Sequence, residues 1–296
     1  MTVLESVPNV SEGRNAAVIA RIAAAFGATA RLLDVHSDAD HHRSVFTLVA
    51  EPQQIVEALL QGIARSIEAI DLRSHDGIHP RVGAVDVVPV VPMSESDLPR
   101  ALETAREIGE RVAREHAVPV FLYGESGGGL RPAFFRRGGP GALQGRIDEG
   151  ELTPDFGPAV LHPTAGAMLV GARRLLVAFN LELVGADLED ARAVAAAIRA
   201  SNGGLPGVQA LGLRLPRSGR IQVSLNLVDT EQARLADVVA LVREEALRRG
   251  IETGAGELVG LLPERQAAPP EALGLAALPD TSILERAIAA GGRHER

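Results

Sequence analysis

The 296-residue sequence contains no lysine, no cysteine and no tryptophan, and Tyr123 is its single tyrosine. Each absence closes off a chemistry. Without lysine there is no Schiff base, no phosphate-loop ammonium and no amine tuned down to act as a general base. Without cysteine there is no thiol nucleophile, thiolate metal site or disulfide. Aromatic residues make up 3% of the chain, and 38 acidic side chains outnumber 30 basic ones, all arginine, for a formal net charge of −8. A nucleic-acid partner calls instead for a basic face and stacking platforms. The longest stretch free of Asp, Glu and Arg covers 17 residues, 156–172, and contains Gly, Pro and His, too broken to span a bilayer. The start, MTVLESVPN, lacks the basic region and apolar core of a signal peptide. These features predict a soluble cytoplasmic protein with small-molecule partners, no nucleic acid and no membrane.

What is present has an alternating rhythm. Short β-branched runs at residues 2–7, 31–35, 44–50, 85–91 and 118–123 read as strands, and residues 15–26, 53–71 and 99–115 carry apolar side chains at helical spacing. In the second half, 175–183, 208–215, 220–227 and 257–262 read as strands and 187–200 and 232–249 as helices. Both halves therefore read β-α-β-β-α-β. The predicted fold class is α/β (α+β), two split βαβ (ferredoxin-like) subdomains over residues 1–172 and 173–296, each a mixed sheet with helices on one face. The glycine-rich segment 124–156 fits no element and reads as a long loop, of the kind that is usually functional. The tail after Pro263 reads as a linker ending in a short helix near 282–290, with the final GGRHER frayed.

Five of the eight histidines fall between residues 36 and 79, at the ends of predicted strands, where rigid scaffolds carry catalytic groups. His75 and His79 are four apart, but Gly77 between them and Pro80 after them disfavour the helix that would turn both toward a metal. Asp34, Asp38 and Asp40 lack the Gly and Glu spacing of a calcium loop. No metal is expected. Gly124-Glu125-Ser126-Gly127-Gly128 matches the G-x-S-x-G nucleophile pattern after a strand, yet no helix is predicted next to support an oxyanion. His79 is the better candidate: Pro80 restrains its backbone, Arg81 and Asp86 are near in sequence, and an imidazole moves protons at neutral pH.

Several longer segments carry a resemblance. ESVPNVSEG (5–13), LDVHSDADHHRSV (33–45), HDGIHPRVGAVDVVPVVP (75–92), VPVFLYGE (118–125), PDFGP (154–158), GAMLVGARRLLVAFN (166–180), QVSLNLVD (222–229) and ELVGLLP (257–263) follow one another in the order found in the formiminotransferase family. That family comprises stand-alone glutamate formimidoyltransferases and the matching domain of their fusions to a cyclodeaminase; this sequence resembles the stand-alone form.

The resemblance implies two α/β subdomains flanking a folate-binding cleft or tunnel, a homodimer, and tetrahydrofolate as co-substrate. The implied reaction moves a formimino group between N-formimino-L-glutamate and tetrahydrofolate, in histidine degradation and one-carbon metabolism. A formyl transfer between 5-formyltetrahydrofolate and glutamate, or a non-catalytic folate-binding role, is the alternative. The histidine of the family's H-P-R-x-G motif, its proton shuttle, falls on His79. Its folate-binding stretch falls on Gly157, Pro158, Ala159, Val160, Leu161, His162, Pro163, Thr164, Ala165 and Gly166. Asn9, His36, Arg43 and Arg81 are the candidate contacts to the glutamate-bearing substrates, since arginine forks suit carboxylates. The sequence departs from the family at Ser126 (family alanine), His36 (often a carboxylate), Ala165 (an aromatic) and the Gly138–Gly141 run, changes that bear on substrate choice more than on fold.

Overall fold

A computed structural model describes residues 2–291, so most of the GGRHER tail (292–296) lies outside the described residues. The chain divides into two compact units, Met1–Arg173 and Arg174–Arg296.

In the first unit the opening strand is split. β1 (Leu4–Ser6) and β2 (Asn9–Val10) both pair with β4 (Arg43–Ala50) and β5 (Val85–Pro92), interrupted at Val7–Pro8. Pro8 has no N–H to give the ladder, but its carbonyl still accepts from Phe46 N at 3.1 Å. Helix α1 (Ala16–Phe26) starts where Asn15 accepts from the Ala17 and Val18 amides, a side-chain cap for otherwise orphaned donors. β3 (Arg31–Asp38) forms a hairpin with β4, and α2 (Pro52–Ala69) leads to β5. Gly62 marks the crossing of α1 and α2: a Cβ there would stand 2.0 Å from the Phe26 ring.

Beyond this split βαβ core, α3 (Leu98–His116), β6 (Val120–Leu122) and β7 (Met168–Ala172) widen the sheet to the order β3-β4-(β1/β2)-β5-β7-β6, with β7 parallel to both neighbours. Alternate strand residues point to opposite faces. Val88, Val90, Val120 and Val170 pack with α1–α3 around Phe26, Leu59 and Ile63. Val87, Phe121, Tyr123 and Leu169 form a second core with Phe135, Leu143 and Ile147.

That second core corrects the reading of 124–156 as a structureless loop. It contains a 3-10 turn at Gly124–Gly127, α4 (Pro132–Arg136) and α5 (Gly139–Asp148). α4 is too short, at five residues, to show a helical period, and α5 was hidden by its glycines, whose low intrinsic propensity masks helix formation. Burial decides the matter: Phe135 and Leu143 are 2% and 0% exposed, about 2–3 kcal/mol of transfer free energy for each. Helices thus lie on both faces of this sheet, not on one.

The second unit runs β8 (Val177–Val184), α6 (Leu188–Ile198), β9 (Val208–Arg214), β10 (Ile221–Leu227), α7 (Leu235–Leu247) and β11 (Glu252–Val259). The strand order is β11-β8-β10-β9 and every neighbouring pair is antiparallel. The split βαβ order is therefore present, but the sheet is antiparallel where a mixed one was predicted. This is what a β-α-β-β-α-β chain produces when its two βα crossovers each skip one strand. β11 begins five residues before the predicted strand because Gly254 and Gly256 carry no β signal, while a Cβ on Gly256 would meet the Phe179 ring at 2.6 Å.

The predicted linker after Pro263 is also corrected. Gln266, 2% exposed, accepts from Leu235 N at 2.8 Å and donates to the Thr230 and Ala233 carbonyls at 2.8 and 3.1 Å. It thereby caps α7. α8 (Pro270–Leu273) and α9 (Leu284–Gly291) follow, with Leu273, Ile283 and Leu284 buried.

Candidate active site

The β3–β4 turn carries His41 and His42, and two chain segments close on it. Both come in at glycine. A Cβ on Gly13 would lie 2.2 Å from the Asp38 carbonyl oxygen, and one on Gly77 would lie 2.4 Å from that of His41, so only a residue without a side chain admits this approach. Arg14 ties the two segments to the turn, donating to the Ala39 carbonyl at 3.0 Å and to Asp76 at 2.5 Å.

Two histidines are committed to this framework. The rings of His42 and His75 stack with centroids 4.2 Å apart. His75 Nδ1 accepts from Gly77 N at 3.2 Å, so its proton sits on Nε2 and faces the His42 carbonyl at 2.9 Å. Burial, with the Arg81 and His42 charges, pushes the His75 ring down to about 4. His42 Nδ1 accepts from Gly13 N at 3.1 Å, and burial lowers this ring too. The lone pairs a metal would need are already occupied by backbone donors.

His79 has a different environment. It is only partly exposed, and its Nδ1 lies 2.7 Å from Arg43 Nη1. Arg43 also donates through Nε to Asn9 Oδ1 at 2.8 Å and through Nη1 to Asp86 Oδ2 at 3.2 Å. The Asn9 amide nitrogen donates to the Val7 carbonyl at 2.7 Å, which holds Oδ1 toward the arginine. Asp86, at the start of β5 and with a side chain 1% exposed, accepts from Val82 N at 2.8 Å and from Arg136 Nη2 at 2.5 Å. Two guanidiniums thus share one carboxylate, leaving a cationic excess in a chain of net charge −8. Arg136 Nε is buried without a hydrogen-bond partner. Burial first, then the Arg43 and Arg136 charges, hold the His79 ring well below the usual histidine range. Burial lowers Arg43 to about 10, Arg136 adding to the effect and Asp86 opposing it. The neighbouring Tyr123 hydroxyl is pushed up to about 12 by burial.

Of the residues singled out in the sequence, Asn9, Arg43 and His79 come together. Arg81 is in the same loop but turned to its backbone, donating to the Gly77 carbonyl at 2.8 Å and that of His75 at 2.6 Å, so it braces residues 75–81. His36 stands on β3 opposite Val45, where its charge acts on Asp34. The segment 157–166 is an exposed loop at its start, with Val160 65% exposed, and a closed turn at its end. There the His162 and Gly166 backbones exchange two 2.9 Å bonds, and His162 Nδ1 accepts from Ala165 N at 3.0 Å. Gly166, at φ +70°, lies against the Val82 carbonyl where a Cβ would stand 2.2 Å away, and Ala84 N donates to Ala165 O at 2.9 Å. The loop is thus fastened to the strand that carries Asp86. Ser126, of the G-x-S-x-G pattern, accepts from Ala172 N at 2.9 Å: its hydroxyl pins β7 and no α-helix follows directly.

Asp86 is marked in the sequence only as lying near His79, and Arg136 is not marked at all. Asp86 did leave a signal, a lone charge within an apolar strand, which must find a partner when buried. Arg136 left none, because its helix was unread.

Residues 3–173 match the formiminotransferase domain, N-terminal subdomain, and residues 178–268 match the formiminotransferase domain. The chain is 38% identical to a glutamate formimidoyltransferase of Thermoplasma acidophilum, over 90% of this chain and 89% of that protein. It is 39% identical to the Streptococcus pyogenes enzyme of the same name, over 89% and 90%. It is also 38% identical to the Sus scrofa formimidoyltransferase-cyclodeaminase, over 88% of this chain and 50% of that protein. With both halves matched and relatives 38% and 39% identical over about nine-tenths of its length, this chain belongs to the formiminotransferase family.

Proposed function

We propose that this chain moves the formimino group of N-formimino-L-glutamate to tetrahydrofolate, giving 5-formimidoyltetrahydrofolate and L-glutamate, with His79 as proton shuttle. One observation carries the reading: a partly exposed histidine bonded to Arg43 within a cluster holding more guanidinium than carboxylate. Such a local field draws anionic substrates to a chain that is acidic overall.

In this mechanism N5 of the folate attacks the amidine carbon of the donor and a tetrahedral adduct forms. The proton leaving N5 passes to His79, and the departing glutamate nitrogen takes one back, so no net proton is consumed. Positioned proton transfer of this kind contributes about 10²–10⁴-fold. Arg43, with Asn9 holding it, is the contact for a glutamate carboxylate. Residues 157–166 hold the folate, the exposed Val160 supplying apolar surface for its ring. Small molecules are the partners, and a cytoplasmic homodimer is the form that the resemblance supports.

The test combines purified protein, tetrahydrofolate and N-formimino-L-glutamate, following the folate absorbance and released glutamate. Folate binding without any product would overturn the enzyme reading. A parallel run with 5-formyltetrahydrofolate and glutamate separates formimino from formyl transfer. The His79→Asn variant is expected to lose at least about 10²-fold in turnover while keeping the parental circular dichroism. Near-normal turnover removes His79 from the mechanism.

A further inference from the structure

Arginine has only donors, and its guanidinium keeps them at every accessible pH. The 2.7 Å contact between Arg43 Nη1 and His79 Nδ1 therefore settles the ring's state. Nδ1 presents its lone pair to the arginine, and the single ring proton of the neutral imidazole is on Nε2. A ring in that state has no lone pair left for a substrate proton. To receive one at Nδ1 would set an imidazolium N–H against a guanidinium N–H at the same short distance. A base that must accept a proton and return it cannot work while this contact persists.

Arg43 has somewhere else to go. Its Nη1 is divided between His79 and Asp86, and its remaining donors rest on one neutral amide oxygen, that of Asn9. A carboxylate is a stronger acceptor for a guanidinium than an imidazole or an amide. Arg136 meanwhile holds the shared Asp86 and keeps a buried Nε without a partner, so an entering anion meets two cations and one carboxylate.

We infer that Arg43 is a substrate-released lock on His79, a positioning residue that holds the resting ring as the Nε2–H tautomer until a carboxylate of the amino-acid substrate draws the guanidinium away from Nδ1. This rests on the reading of His79 as the proton shuttle. Nδ1 then takes the N5 proton and returns it to the departing nitrogen, and the arginine closes again when glutamate leaves. Binding of the donor thereby arms the base, whereas folate alone leaves it locked.

The groups facing His79 are Arg43 from β4, Asp86 from β5, Arg136 from α4 and the His41 ring, its centroid 6.3 Å away and its Nδ1 3.1 Å from Asp38. Asn9 reaches it through Arg43.

The experiment reads the ring directly. Protein labelled with ¹⁵N-histidine is compared at pH 7 free, with saturating L-glutamate, and with saturating tetrahydrofolate; His79→Asn supplies the assignment by removing one ring. The free protein is expected to show an unprotonated Nδ1 and a protonated Nε2 at His79. L-glutamate shifts the Nδ1 resonance toward that of a bare imidazole nitrogen without a hydrogen-bond donor, and folate alone leaves it unchanged. A free-state Nδ1 that already carries the proton, or a ring indifferent to glutamate, overturns the lock. The Arg43→Gln variant, which removes the charge, is expected to raise the KM for the donor and to move the acidic limb of the pH–rate profile to higher pH. An unmoved limb in a folded Arg43→Gln protein also overturns it. Should that variant fail to fold, the wild-type spectra still decide. The shuttle reading fails separately, if His79→Asn keeps its turnover whatever the spectra show.

Discussion

Replacing Asp86 with asparagine removes one charge and almost no volume. Its side chain is 1% exposed and is the carboxylate between Arg43 and Arg136, which approach it at 3.2 and 2.5 Å. Asparagine can still accept from Val82 N, so the backbone bond survives. The two guanidiniums, however, are left facing each other without a counter-charge. Stripping one partner from a buried ion pair costs about 3–5 kcal/mol, because the surviving charge remains desolvated. In a unit of this size each kcal/mol lowers the midpoint by roughly 2–4 °C, so the first unit should melt roughly 6–20 °C lower. Tryptophan is absent, so far-UV circular dichroism in urea and on heating is the suitable signal. Arg136→Gln, which leaves the Arg43–Asp86 pair intact, should cost less, and the double variant should recover part of the loss. An Asp86→Asn protein within about 1 kcal/mol of the parent would refute the shared-carboxylate account, since a buried pair broken on one side does not come so cheaply.

Three further outcomes follow from the packing and the protonation states. His75 is held at about 4 against an ordinary value of 6.5. The unfolded chain therefore binds the extra proton first, and stability present above pH 6.5 is lost as pH falls toward 4; the slope of urea midpoint against pH over that window should shrink in His75→Phe. Gln266→Ala strands Leu235 N and the Thr230 and Ala233 carbonyls, and at about 1–3 kcal/mol per unsatisfied group the second unit should lose at least roughly 3 kcal/mol in urea titration. Phe135→Ala empties the centre of the core beneath Phe121, at about 3–5 kcal/mol, and should reduce turnover because Arg136 loses its support.

The strand and helix rhythm was legible because most strands are β-branched and most helices amphipathic: Val18, Ile22 and Phe26 line one face of α1. The two-unit α/β architecture followed from that periodicity. Strand direction did not, since periodicity reports which face is buried and is silent on pairing, and the second sheet proved antiparallel throughout. α4 and α5 were hidden for a related reason: α4 is only five residues long and the glycines of α5 oppose helix formation, and tertiary burial of Phe135 and Leu143 overrides both. At the site, the H-P-R-x-G resemblance pointed to His79, and Asn9 and Arg43, singled out as substrate contacts, lie beside it, Asn9 through Arg43. Arg81 could not be judged from the chain alone, because a guanidinium committed to carbonyls looks in sequence like one waiting for a ligand. Asp86 shows in sequence as a lone charge in an apolar strand, but its arginine partners lie 43 and 50 residues away along the chain, so no local pattern names them.

Gln266 also relocates a boundary. Composition suggests that within the second unit the packed part gives way to a linker at Pro263, where prolines and alanines begin to accumulate. A polypeptide cut there would keep every strand and both long helices of that unit, yet α7 would lose its cap and the sheet the apolar cover of Leu273 and Ile283. What reads as a tether is a clasp, so a shortened version or a fusion joined at Pro263 would open at the start of α7, a place remote from the cut in sequence order.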